Sequence, residues 1–159
     1  DLKRSPKLLW LDTGLVNYAA GLQKEIFRAS DIADAWRGMI AEQVVGQELL
    51  ALSNKVSQRR HFWMRGKVGS SAEVDFVYLY DSKIIPVEVK SGHNAKLRSI
   101  HSFMDEAPHE WAVRVWSGNY SVDEVKTSKG KSFHLINIPF YYVGSLEIIL
   151  SKHIKSSAN

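Results

Sequence analysis

Two apolar runs dominate the middle of the chain: Glu73-Val74-Asp75-Phe76-Val77-Tyr78-Leu79-Tyr80 and Ile84-Ile85-Pro86-Val87-Glu88-Val89-Lys90. Both are rich in β-branched and aromatic residues, and Asp81-Ser82-Lys83 lies between them, so the pattern predicts a hairpin. Residues two apart on a strand share a face, which places Glu88 with Lys90 and turns Val87 and Val89 the other way. With Ser82 and Lys83 as a two-residue loop, paired residue numbers sum to ~165. Asp75 then faces Lys90 and Val77 faces Glu88, and Asp75, Glu88 and Lys90 share one surface. A three-residue loop would send Asp75 to the opposite face, so the expectation depends on an even turn.

The same kind of pattern predicts the other elements. Leu8-Leu9-Trp10-Leu11 suggests a short buried strand, and Asp12-Thr13-Gly14 ends it and caps a short helix through Tyr18 and Ala20. Residues 31–53 form the longest helical candidate, with Trp36, Met39, Ile40, Val44, Val45, Leu49 and Leu52 around most of its circumference, so it should be largely buried. Gly38 inside it hints at close backbone packing or at a helix start. His61-Phe62-Trp63-Met64 is a strand, and residues 95–106 have helical spacing at Leu97, Ile100, Phe103 and Met104, ended by Pro108. Residues 111–116 form another strand, 119–132 a polar surface excursion, 133–143 a strand ending near Pro139, and 144–153 a closing helix. Apart from the N-terminal strand, the order is helix, three strands, helix, strand. It calls for an α/β fold: a central mixed sheet, antiparallel at first, flanked by helices.

Length and composition narrow the class. A chain of 159 residues with 45% hydrophobic and 24% charged residues suits one globular domain over 1–159. No apolar stretch reaches membrane-spanning length, and Asp1-Leu2-Lys3-Arg4-Ser5-Pro6 lacks a signal-peptide core. Cysteine is absent, so disulfides and thiolate zinc sites are excluded and a cytoplasmic location is expected. The Asn119-Tyr120-Ser121 acceptor pattern is then a chance match. A net charge of +4 permits an anionic partner without demanding one. Arg59, Arg60, Arg65 and Lys67, interleaved with His61 and Trp63, can track a nucleic-acid backbone or simply be exposed cations, with Phe62 and Trp63 in the core. Lys126, Lys129 and Lys131 form a second basic group. Lys96 and Arg98, at a helix start, are better placed for phosphate.

Two acids and an amine on one surface suit phosphodiester hydrolysis. That reaction needs a cation on the phosphate, an activated water and relief of negative charge. Asp75 and Glu88 offer hard oxygen ligands to Mg2+, or to Mn2+, and Lys90 can orient the attacking water. The bland alternative is an Asp75–Lys90 ion pair with Glu88 solvated. Glu42 shares a helical face with Met39, Val45 and Leu49, so its carboxylate should be either metal-directed or salt-bridged. Glu73 shares Asp75's strand face and either joins the cluster or sits in solvent. Ser91 and His93 can touch phosphate or serve only as loop polarity. The six histidines have no metal-ligand spacing. Gly130-Lys131-Ser132 imitates the end of a P-loop, but Val125 stands where the first glycine is required.

Taken in order, Leu11-Asp12-Thr13-Gly14-Leu15, Arg37-Gly38 with Glu42, Phe62-Trp63, Glu73-Val74-Asp75-Phe76-Val77 and Pro86-Val87-Glu88-Val89-Lys90-Ser91 resemble the PD-(D/E)XK nuclease superfamily. They are more closely similar to a C-terminal domain of uncharacterised function attached to prokaryotic AAA+ ATPases. The likeness spans most of residues 11–91, with Val74 in place of the proline that precedes the first acid. It implies a restriction-endonuclease-like fold, a site of Asp75, Glu88 and Lys90 joined by Glu42, and nucleic acid, DNA first, as partner. It also implies P-loop and winged-helix modules ahead of this domain, neither of which this chain contains. The chain is therefore expected to be the C-terminal part of a larger ATPase. Two functions follow: a DNA-binding, magnesium-dependent nuclease domain, or a catalytically silent module that docks proteins or controls the attached ATPase. Oligomeric state is not legible.

Overall fold

A computed structural model describes residues 9–10, 12–19, 34–53, 60–65, 72–91 and 97–154, with side chains from residue 38 onward in the second of the helices. It forms an α/β fold in which six strands make one mixed sheet. The elements are α1 (Thr13–Ala19), α2 (Asp34–Ala51), β1 (His61–Met64), β2 (Glu73–Tyr80), β3 (Lys83–Lys90), α3 (Arg98–Glu106), β4 (Trp111–Trp116), β5 (Ser121–Lys126) and β6 (Ser132–Pro139). A 3-10 turn over Phe140–Ser145 and α4 (Leu146–His153) follow. The strand order is β1-β2-β3-β4-β6-β5. β1, β2 and β3 form an antiparallel meander, β3, β4 and β6 run parallel, and β5 is antiparallel to β6.

Two cores sandwich this sheet. On one face α2, the 3-10 turn and α4 bring Val45, Leu49, Val143, Leu146 and Leu150 onto Phe76, Val87, Val89, Val113, Val115, Ile136 and Ile138. On the other, α3 lays Ile100, Phe103 and Met104 over Val74, Ala112, Phe133 and Leu135. Trp63 joins this second core edge-on to Phe103, as expected of a core aromatic. Lys131 donates to the carbonyls of Met104 (2.6 Å) and Ala107, so a cation satisfies the otherwise unpaired acceptors at the end of α3.

Several expectations are corrected. The described part of the N-terminal segment is not in the sheet: Leu9 and Trp10 are in no regular element, and Trp10 is 42% exposed. The buried Gln43 amide replaces a strand partner, accepting from Trp10 N–H at 2.8 Å and donating to its carbonyl. Leu8 and Leu11 lie outside the described residues. Asp12 caps α1 as expected, its Oδ1 accepting from Leu15 N–H at 3.1 Å. Helix α2 is less buried than its sequence suggests, with Met39 56% exposed. Its close-packed glycine is not Gly38, which has open space around it, but Gly46, where a Cβ would lie 3.1 Å from Phe76 Cζ. The helix after β3 begins at Arg98 within the described residues. The excursion over 119–132 contains β5, a sheet edge whose Asp123, Glu124 and Lys126 are exposed and charged, which discourages further strand pairing. Pro86 is tolerated inside β3 because the ladder with β4 opens only at Val87. No described helix is long and apolar enough to cross a membrane.

Candidate functional site

The hairpin turn sits one residue earlier than the sequence reading put it. Tyr80 pairs with Lys83 and Phe76 with Val87, so the loop is Asp81-Ser82. Both loop residues have positive φ, 46° and 59°, as a two-residue turn matched to strand twist requires. The loop is still even, so Asp75 stays on the face of Glu88. Continuing the register sets Asp75 opposite Glu88 rather than opposite Lys90.

The regular ladder stops just there, because β2 carries a bulge. On β1, Trp63 and His61 are two residues apart, yet their partners Val74 and Val77 are three apart. The extra residue reverses the phase of the strand: Val74 packs under α3, while Phe76 packs under α2. Asp75 falls at this reversal. Its Oδ2 accepts from the Val89 backbone N–H at 2.8 Å, so a carboxylate takes an acceptor's place between the strands. Glu73 precedes Val74 and falls on the other face. The bulge thus parts it from Asp75, whose face the sequence expected it to share.

Glu88 is the most constrained group of the site. It is 3% exposed, Lys90 Nζ lies 2.7 Å from its Oε1, and its buried Oε2 has no hydrogen-bond partner. Burial, and then the charge of Asp75, push its carboxyl up from 4.5 to about 7. Lys90 pulls the other way, and Glu42 adds a smaller upward push. Glu42, Asp75, Glu88 and Lys90, drawn from α2, β2 and β3, are thus brought into one electrostatic neighbourhood. They do not close into a ligand shell: among the described residues no three acidic or histidine side chains are positioned to share one ion. The alternative considered from sequence left Glu88 solvated; instead Glu88 is buried and itself pairs with Lys90.

The row continues across the sheet. Glu88 pairs with Arg114 on β4, and Arg114 pairs with Asn137 on β6. Sequence reading passed over both, although a cation inside Trp111-Ala112-Val113-Arg114-Val115-Trp116 is a visible anomaly. The basic residues it singled out lie elsewhere. Arg60 donates to the Gly46 carbonyl at 3.0 Å and Arg65 pairs with Glu106 at 2.7 Å. Arg65, Arg98 and Lys129 line a separate cleft of about 700 Å3 that includes none of the site's acids. Arg59, Lys67, His93 and Lys96 lie outside the described residues, and Ser91 is half-buried at the end of β3.

Other resembling segments have evident structural duties. The Leu11–Leu15 segment contains the cap of α1, and Phe62-Trp63 supplies the strand opposite the bulge. No curated protein matches the chain. Residues 37–141, which run from α2 past β6 and include all four candidate site residues, match the family described as Domain of unknown function (DUF4143), and the chain belongs to that family.

Proposed function

We propose that this chain is a nuclease-like, nucleic-acid-binding domain of the PD-(D/E)XK type, acting on DNA and attached to an AAA+ ATPase. The observation that carries the reading is Glu88: a buried carboxylate with an unpartnered Oε2, set against Asp75 across a bulged hairpin, with Lys90 two residues on. A buried anion beside a second anion is costly, and a cation between them is the simplest relief. By that measure the donor set fits a hard divalent ion. Asp75 and Glu88 would hold Mg2+, or Mn2+, through oxygen, with Glu42 adding charge from α2 and water completing the shell. The bound ion would supply Lewis-acid activation of the phosphate and of its water. Lys90, fixed by Glu88, orients a water molecule and offsets phosphate charge. The Val89 N–H holds the Asp75 carboxylate in place.

The test is cleavage of supercoiled plasmid in Mg2+ or Mn2+ by the chain and by its Asp75→Ala and Lys90→Ala variants. Nicking by the parent alone is expected; equal activity in all three defeats the reading. A second reading, a silent docking or regulatory module of the ATPase, is favoured by the direct Lys90–Glu88 pair and by the open ligand set. It predicts no cleavage and no stabilisation by millimolar Mg2+.

A further inference from the structure

Arg114 is held more firmly than a stray surface cation needs to be. Its Nε donates to Asn137 Oδ1 at 2.7 Å, and its guanidinium lies 3.9 Å from the Trp116 ring centroid. Each support is supported in turn. Asn137 is 0% exposed and spends its amide hydrogens on Ser121 Oγ (2.9 Å) and Asp123 Oδ2 (2.6 Å). The Trp116 indole N–H donates to the Asn119 carbonyl at 3.1 Å. Gly118 passes so close beneath the ring that a Cβ there would fall 2.3 Å from Cζ2.

What this scaffold leaves over is the fork. Among the described residues no carboxylate lies within ion-pairing distance of Arg114, and nothing accepts from its two Nη groups. Partial burial holds its pKa below the usual range, while the charge of Asp123 works against that shift. If the network served only to fasten β5 to the sheet, Asn137, Ser121 and Asp123 would suffice, and an apolar residue would fill position 114 at lower desolvation cost. A preorganised guanidinium with free paired donors instead matches an oxyanion that accepts from both. Its position narrows the ligand. Arg114 is level with Glu88 on the neighbouring parallel strand, close to the carboxyl ends where ligands of α/β sheets bind. It leans away from Glu88 toward β6, so it suits a phosphate next to the one at the acids.

We propose that Arg114 is a phosphate-gripping residue, its Nη groups binding a phosphodiester of a nucleic-acid strand that crosses from β3 to β4 beside Glu88. This rests on reading Asp75, Glu88 and Lys90 as a phosphodiester site. The test is fluorescence anisotropy of a fluorescein-labelled oligonucleotide, single-stranded and as a duplex, titrated with the chain in EDTA over a series of salt concentrations. Arg114→Gln is expected to weaken binding roughly tenfold and to lower the slope of log affinity against log salt by about one, the signature of one lost phosphate contact. Arg114→Lys keeps the charge and hence the slope, but loses the fork and weakens binding several-fold. A purely structural role would lower the melting temperature and leave the slope alone. Unchanged affinity and slope in Arg114→Gln would overturn the proposal, and if that variant does not fold, unchanged affinity in Arg114→Lys would do the same. Loss of slope together with no plasmid cleavage by the parent would keep the grip and remove hydrolysis. If the parent binds neither oligonucleotide, both readings fall.

Discussion

Replacing Glu88 by glutamine removes a charge while keeping an acceptor for Lys90, and its effect on stability has a definite pH profile. In the folded chain the Glu88 carboxyl titrates near 7 instead of 4.5, because it is buried and faces Asp75. A carboxyl with a raised folded pKa holds its proton more tightly in the native than in the unfolded state. Between about pH 4.5 and 7 the native chain therefore binds the extra proton, and its stability falls as pH rises through that window. Below the window Glu88 is protonated in both states and costs nothing; above it the deficit is constant. At about 1.4 kcal/mol per unit, the deficit amounts to about 3 kcal/mol. Glu88→Gln does not titrate, so its advantage over the parent should grow from near zero at the acid end to about 3 kcal/mol above neutrality, or roughly 10 °C in melting temperature for a chain of this size. Urea unfolding of both proteins across this pH range measures the gap. A gap that stays flat, or a parent that gains on the variant as pH rises, would refute the burial argument. Millimolar Mg2+ above neutral pH should narrow the gap by stabilising the parent alone.

Three further variants probe the supports of the site. Asp75→Ala leaves the buried Val89 N–H without its acceptor and should cost about 1–3 kcal/mol in urea unfolding. It should also bring the Glu88 carboxyl down toward 4.5, readable by carbon NMR; an unmoved Glu88 would mean that Asp75 is not its main charged neighbour. Gly118→Ala places a methyl against the Trp116 ring and should cost about 1–3 kcal/mol, so an unchanged melting temperature would contradict the close approach. The double change Asp81→Asn with Ser82→Gly suits the two positive φ angles of the hairpin loop and should stabilise the chain by about 1 kcal/mol, with no gain counting against the turn assignment.

The facing of the acids was legible because it depends on parity. Moving a two-residue loop from Ser82-Lys83 to Asp81-Ser82 shifts each pairing by two, so Asp75 stays on the face of Glu88 although its partner changes. The bulge was not legible. Residues 74–77 contain no glycine or proline to announce an irregularity, and the phase reversal arises because Val74 and Phe76 are claimed by cores on opposite faces. That reversal also turns Glu73 away from the face of Asp75. Strand β5 was hidden for a different reason. Only Val122 and Val125 are apolar in it, because an edge strand with one neighbour has little to bury and must stay charged.

Arg114 lies between these cases, and it shows where one-dimensional reading stops. The anomaly of a cation in an apolar strand is written in six residues, but its meaning depends on Asn137, which is 23 positions away and is brought alongside by the parallel pairing of β4 with β6. The same dependence separates the two halves of the site. Asp75, Glu88 and Lys90 meet through a hairpin, a local contact whose rules of turn length and alternation act on neighbouring residues. Arg114 meets them through the connection over α3, whose length leaves the register open until the cores on both faces are packed. A site built across a parallel junction therefore shows its local acids in the sequence and reveals its distant cation only when the sheet is assembled.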